Sequence, residues 1–396
     1  MTPIFLTTHC QLQRIIFWEP CISPHKTDFL TAIAVRLPEV EIICCAEQGL
    51  QEERKVLGWT VSNCNQVRTI IAPDITQIED LVFENSAHTL HIFSGTRYLP
   101  TLVIGLKTVK SCNARFAIMA EPRVYDDWKG GLRFLQSWLT EGWLRKNCAF
   151  VLAIGLNGPP WYKSVGYDPK KIFPFAYFVP PPQLAEARLN TRQKPSDSSI
   201  ISVGYLGRLV AMKGIFDLVK AVHQLGKKAR LTIVGTGPDE VALKEVCLQY
   251  KIEVDFRGVL PIQWIGEVLE ELDVLVLAST SKDGWGVVVS EALMSGTAVV
   301  ATHCVGASLM LDSALFGYKI VPNSPDEIAK AIKQLKANDA FTTQNRLARQ
   351  LLARAKLSPE AGARYLADII NYQLGGGDKP APFFLYEDDL KSAHGN

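Results

Sequence analysis

The sequence predicts an α/β protein with two parallel-sheet domains, and three features point there. Short apolar runs of strand length recur at 15–18, 40–45, 69–71, 89–93 and 117–120, with helical segments between several of them. Strands alternating with helices build a parallel sheet covered on both faces. A second, more regular series begins at residue 200, and between the two lies Pro180-Pro181-Pro182 with the polar, charged run 186–199, the clearest composition break in the chain. At 396 residues the chain can bury two cores. The expected layout is a first domain over 1–179, a linker over 180–199, a second domain over 200–356, a helix over 357–374 and a loosely ordered tail over 375–396.

In the first domain, Ile15-Ile16-Phe17-Trp18 reads as a strand, Glu19 to His25 as a loop, and the next residues as a helix through Ala34. Ser23 and His25 lie in that loop and Glu121 just beyond a middle strand, at carboxyl ends of strands where parallel sheets bind ligands. Loop His and Glu are common and usually serve only as plain hydrogen-bonding groups, the favoured reading for either one singly. Residues 128–146 read as a surface helix with Trp128, Phe134, Trp138 and Trp143 beside Lys129, Arg133, Arg145 and Lys146. Aromatic and basic residues together suit an anionic lipid surface, while Leu132, Leu135, Trp138 and Leu139 also have the spacing of a core face. Runs 148–155 and 171–179 return to strand.

The second domain opens with strand 200–206, then Gly207 to Gly214, then a helix whose Ile215, Leu218, Val219, Val222 and Leu225 share one face. Arg208 and Lys213 stand at the strand end and helix start, where two cations can grip one diphosphate or make surface ion pairs. Strand 231–234 ends in Gly235-Thr236-Gly237, part of a dinucleotide glycine fingerprint without its third glycine. Helix 238–250, strand 254–256 with Arg257-Gly258, and helix 262–271 follow.

Strand 274–278 leads into Ser281-Lys282-Asp283-Gly284-Trp285-Gly286, a turn before a helix starting near Val287. Gly284 and Gly286 allow close approach of the backbone, and the first amides, at Val287 and Val288, point unpaired into the same space, so an anion such as phosphate fits. Asp283 and Glu291 are acceptors for a polyhydroxylated ligand beside that anion. Phosphate plus hydroxyls suggests a sugar nucleotide; an acidic helix start that only favours the helix dipole is the alternative. Strand 319–321, helix 324–335 and a last helix, 358–372, complete the pattern.

A formal net charge of +2 gives no reason to expect nucleic acid as a partner. Nine scattered cysteines with no Cys-x-x-Cys pair read as reduced core residues of a cytosolic protein. No basic segment followed by an apolar run opens the chain, and run 148–154 is far too short to span a bilayer, so a cytoplasmic protein, free or lying on a membrane surface, is expected.

In this order the motifs resemble the retaining, nucleotide-sugar-dependent glycosyltransferases of family 4, as used in bacterial surface-polysaccharide or lipopolysaccharide assembly. The likeness rests on Gly-Arg-x4-Lys-Gly at 207–214, Val-Gly-x-Gly-Pro at 234–238, Phe-x-Gly at 256–258 and Asp-Gly-Trp-Gly through Glu291. It is looser at Glu19 to His25 and at 173–179, and 359–370 looks like the family's C-terminal crossover helix. The resemblance implies the GT-B architecture, two Rossmann-like domains facing each other across a cleft. It implies Arg208 and Lys213 on the donor diphosphate, Glu291 on the ribose hydroxyls, and Asp283 with the Gly284 to Gly286 backbone facing the sugar. Val287 and Val288 would offer amides, Gly207 and Gly235-Thr236-Gly237 would line the nucleotide, and the backbone at Arg257 and Gly258 would meet the base. Ser23, His25 and Glu121 fall on the acceptor side. The donor implied is a UDP- or GDP-linked sugar and the acceptor a glycan or lipid-linked hydroxyl; peripheral contact with an anionic membrane is the expectation from the aromatic and basic segment 128–146.

Three positions depart from the family pattern. The first member of its Glu-x7-Glu pair is Asp283, its N-terminal glycine-rich loop is Pro20-Cys21-Ile22-Ser23-Pro24-His25, and no histidine follows a middle strand where Glu121 falls. A leaving diphosphate needs positive charge; the chain has no Asp-x-Asp pair to hold a metal, whereas Arg208, Lys213 and the helix start offer a metal-free route. An epimerase or hydrolase acting on a nucleotide sugar, and a non-catalytic scaffold of the same fold, are the rival readings. A nicotinamide-dependent oxidoreductase would need a full glycine fingerprint.

Overall fold

In the computed structural model the described residues are 12–52, 55, 66–123, 129–182 and 200–385, and their thirteen strands pair in parallel within two sheets. The linker and Trp128 lie outside the described residues, except for Pro180 to Pro182 at the linker's start. The first unit runs to Pro180 and resumes at Ser358; the second is Pro181–Leu357.

The first unit contains β1 (Arg14–Cys21), α1 (Pro24–Arg36), β2 (Glu41–Gln48), β3 (Val67–Ile71), α2 (Ile75–Phe83), β4 (Thr89–Phe93), α3 (Pro100–Cys112) and β5 (Arg115–Ala120). It continues with α4 (Gly130–Thr140), α5 (Gly142–Asn147), β6 (Val151–Ile154), α6 (Gly158–Ser164) and β7 (Ile172–Phe175). Its sheet order is β3-β2-β1-β4-β5-β6-β7. Strand β1 is buried from Arg14 to Glu19 and pairs with β2 and β4, as a central strand covered on both faces must. Trp18 stacks on Phe93 with centroids 5.5 Å apart and donates its indole N–H to His91 Nδ1 at 3.2 Å. Burial holds the His91 imidazole neutral, down to about 3.

The second unit contains β8 (Ile201–Leu206), α7 (Ile215–Leu225), β9 (Ala229–Val234), α8 (Glu240–Gln249), β10 (Val254–Gly258), α9 (Ile262–Glu271) and β11 (Val274–Leu277). It ends with α10 (Val287–Met294), β12 (Ala298–Thr302), β13 (Gly317–Ile320), α11 (Pro325–Ala337) and α12 (Thr343–Leu357). Its order is β10-β9-β8-β11-β12-β13. The chain then returns to the first unit as α13 (Pro359–Gly375), which packs on α1 and buries Tyr365, Leu366, Ile369 and Ile370.

Four expectations change. Glu19 to Cys21 extend β1 and α1 begins at Pro24, so His25 occupies the first helical turn, not a loop; Pro at a first helical position loses no hydrogen bond. The helix expected over 128–146 is two, broken at Glu141, whose buried carboxylate accepts from Arg97 at 2.8 Å and from the Tyr167 phenol at 3.0 Å. Helix α12 has no counterpart among the expected elements. The tail is not loose as far as it is described, because Phe383 packs on Phe178 and Tyr365 with centroids 5.3 and 5.7 Å apart. No helix among the described residues is long and apolar enough to cross a membrane.

Candidate functional site

In the second sheet the chain winds outward in opposite directions on either side of the β8/β11 pair. Loops leaving the carboxyl ends of two such strands diverge and leave a crevice. One loop is 207–214 after β8, the other 278–286 after β11. Thr280 donates its N–H to the Met212 carbonyl at 2.8 Å, which ties the loops together. Gly214, at φ 69°, lies so close to the Ala278 carbonyl that a Cβ would overlap it.

Across this crevice Lys213 Nζ meets Asp283 Oδ2 at 2.5 Å, and the same oxygen accepts from Ser279 Oγ at 2.8 Å. The Asp283 N–H donates to the Cys304 carbonyl at 2.9 Å, and the Gly284 and Trp285 carbonyls accept from Gly306 and Ala307 at 2.8 and 2.7 Å, so the turn is stapled on its far side. Trp285 is wholly buried and donates its indole N–H to Ser290 Oγ at 2.9 Å. Its indole is core, not a ligand-facing group.

Gly286 caps α10, leaving the Val287 and Val288 amides at the helix start without a helical carbonyl to reach. Glu291 follows one turn after Val287, on the same face. It is partly covered by surface area, and burial pushes its carboxyl from the ordinary 4.5 up to about 7. Burial also lowers the Lys282 ammonium to about 8.

The remaining expected residues divide. Gly235, at φ 129°, sits against the Gly207 carbonyl with no room for a Cβ, so the Gly235-Thr236-Gly237 turn braces the loop after β8. Leu209 donates its N–H to the Thr236 carbonyl at 2.9 Å, and the Thr236 hydroxyl donates to Glu240 at 2.9 Å. Arg257 bridges Asp255 and Glu271 at 2.7 and 2.8 Å, and the Gly258 carbonyl accepts from Gly235 at 2.7 Å. Arg208 is exposed and makes no ion pair among the described residues; its carbonyl accepts the Tyr205 hydroxyl at 2.8 Å. Thus Lys213 and Asp283 are brought together, Glu291 follows at the helix start, and Arg208 stays open to solvent.

The first sheet has its own switch point at the β1/β4 pair, and there sequence reasoning found Ser23 and Glu121 but missed Glu19, Lys26 and Ser94. Glu19, buried at the end of β1, pairs with Lys26 at 2.8 Å and accepts from Ser94 Oγ at 2.8 Å. Lys26 lies 5.5 and 5.6 Å from the Phe17 and Phe29 ring centroids. Beyond β5, Glu121 accepts the hydroxyl of Tyr177, whose titration is raised by burial and then by Glu121. Ser23 caps α1 by its backbone only. A glutamate directly after an apolar central strand was the available signal.

Two doubly wound parallel sheets, each with polar groups gathered at its switch point, define a GT-B protein of two Rossmann-like domains. More particularly, residues 188–354 match the family model Glycosyl transferases group 1, a stretch that covers most of the second unit. An uncharacterized glycosyltransferase of Methanocaldococcus jannaschii is 28% identical over 141 residues, 35% of this chain and 36% of that protein. The N,N'-diacetylbacillosaminyl-diphospho-undecaprenol alpha-1,3-N-acetylgalactosaminyltransferase of Campylobacter jejuni is 27% identical over 197 residues, 48% of each. The chain spans between 31% and 52% of the length of the curated relatives it matches. Among solved structures, Anabaena Alr3699/HepE in complex with UDP superposes with a TM-score of 0.68 at 16% identity, over 91% of this chain and 100% of that one.

Proposed function

We propose that this protein transfers a sugar from a UDP- or GDP-linked donor to a hydroxyl of a glycan or lipid-linked acceptor, with retention of configuration and without a metal. The observation that carries this reading is the Lys213 ammonium paired with Asp283, in the turn that leads into α10 at the switch point of the second sheet. As the bond from the anomeric carbon to the diphosphate breaks, its electron pair moves to the phosphate oxygen, where Lys213, Arg208 and the Val287 and Val288 amides oppose the growing charge. The acceptor oxygen bonds to the same carbon, and its proton leaves to the departing phosphate or to water. Glu291 takes the ribose hydroxyls and Asp283 the sugar. The first unit, with Ser23, His25 and Glu121, takes the acceptor. The UDP complex of the Anabaena protein and the diphospho-undecaprenol in the Campylobacter enzyme's name support a nucleotide-linked donor and a lipid-linked acceptor.

A thermal-shift screen of nucleotide sugars, followed by transfer assays with chelator present, tests the reading. Binding to the native state alone raises the melting temperature. Arg208→Ala is expected to lower turnover by roughly two to three powers of ten, the effect of losing one preorganised stabilising group. A variant retaining about half the parent rate contradicts that role. Donor consumed without acceptor favours the epimerase or hydrolase, and binding without turnover favours the scaffold.

A further inference from the structure

A buried ion pair seldom adds stability, because taking two charges out of water costs about what their attraction returns. The first unit nevertheless keeps one at the carboxyl ends of its strands, where a doubly wound sheet takes ligands. Glu19, 5% exposed, closes the buried run of β1, and Lys26 reaches it from the first turn of α1. The Lys26 ammonium is walled by the Phe17 and Phe29 rings and lies 3.4 Å from the Met119 sulfur, so Glu19 is its one charged partner among the described residues.

The pair is bonded on one side only. Lys26 Nζ and Ser94 Oγ both approach Oε1 of Glu19, each at 2.8 Å, and among the described residues no group bonds Oε2. Buried polar groups that serve stability alone are ordinarily hydrogen-bonded throughout; here a carboxylate is held firmly by one oxygen while the other stays uncommitted. Space adjoins it. Ser94 and Gly95, at the end of β4, are only partly covered, and a Cβ added at Gly95 would meet nothing within 4 Å. From the β5 side Tyr177 sits beside both carboxylates of this sheet end, its phenol raised by burial, then by Glu121 and Glu19. An ionised carboxylate only accepts hydrogen bonds, so what suits Oε2 is a hydroxyl.

We propose that Glu19, held by Lys26 and Ser94, receives one hydroxyl of the acceptor sugar on Oε2 and so sets which acceptor the protein uses. The inference rests on the transfer reading, since it names what the first unit recognises in the acceptor.

The test joins a charge-neutral replacement to a series of acceptors. Glu19→Gln/Lys26→Met removes both charges together and strands neither in the interior, so its circular dichroism and its thermal shift with UDP are expected to match the parent. Transfer by the full chain is measured to octyl glucoside, octyl galactoside and octyl N-acetylglucosaminide, then to the monodeoxy analogues of the best of them. The parent is expected to favour the full glycoside over one deoxy analogue by at least about tenfold, because a site built to bond a hydroxyl rejects a ligand lacking it. The double variant is expected to lose about ten- to a hundredfold in acceptor kcat/KM with the full glycoside, mostly through KM, and to use that pair of acceptors alike. Should the double variant not fold, Glu19→Asp, which keeps the charge but draws the carboxylate back, decides by the same two readings. A folded variant that keeps the parent's discrimination at every hydroxyl, or a parent that shows none, overturns this inference and leaves the transfer reading standing. A parent that shifts with UDP yet glycosylates none of the three overturns it too, sparing the donor half of that reading. A parent that neither shifts nor transfers overturns both.

Discussion

Lys213 and Asp283 neutralise each other at close range, and Ser279 supports the carboxylate. A phosphate arriving at Lys213 therefore exchanges one anionic partner for another, so the cation is already in place for it. Glu291 behaves differently, because its carboxyl is lifted from 4.5 to about 7 by burial. Between those values the folded protein binds more protons than the unfolded chain, so stability falls as pH rises from 4.5 to about 7 and is flat beyond. Glu291→Gln removes that fall. Its melting temperature relative to the parent is expected to climb over this range and then hold constant, as calorimetry across pH would register. A constant difference across the range would mean that the carboxyl titrates normally. Neither partner of the Lys213 and Asp283 pair announces the other in the sequence, since 70 residues separate them and only the strand order β8-β11 makes them neighbours.

At the scale of elements, the turn after β9 acts as a brace. A Cβ at Gly235 would overlap the Gly207 carbonyl in a backbone conformation that L side chains avoid. Gly235→Ala is expected to cost about 2–5 kcal/mol from strain and overpacking and to abolish the thermal shift with nucleotide by displacing the loop that carries Arg208. A variant that binds nucleotide like the parent would show that the brace is dispensable. The apolar strands were legible because β4, β11 and β12 are buried along their whole length. Helix α12 was not, because its basic composition reads as a solvated stretch. Arg349 in fact is fully buried, donating to the carbonyls of Leu315, Gly296 and Ala340 at 2.6, 2.7 and 2.9 Å. Three backbone acceptors make a cation behave as a core residue, which periodicity cannot reveal. Strand β1 was cut short for a similar reason, since the buried Glu19 is satisfied by Lys26 from the following helix and by Ser94, 75 residues away.

For the whole molecule, the consequential feature is that α13 belongs to the first unit although the second lies between them in the chain. Leu366, Ile369 and Ile370 are fully buried there, and Gly362 packs so closely on Phe178 that a Cβ would overlap its ring. Each such aliphatic side chain contributes about 1.5–3 kcal/mol when buried, a large share of a unit's net stability of about 5–15 kcal/mol. A chain stopped after Leu357 is expected to lose hydrogen-exchange protection in β1, β2 and β4 while the second unit keeps its nucleotide thermal shift. Protection of β1 at the parent level would show that α13 is an accessory.

The same thread sets an order of assembly on the ribosome. The first unit waits for a segment translated after the whole of the second, whereas the second, with no large unit inserted in it, has its pieces as soon as it clears the exit tunnel. The nascent first sheet therefore leaves the surface that α13 will cover exposed while the second unit is made, which makes it the natural client for chaperones.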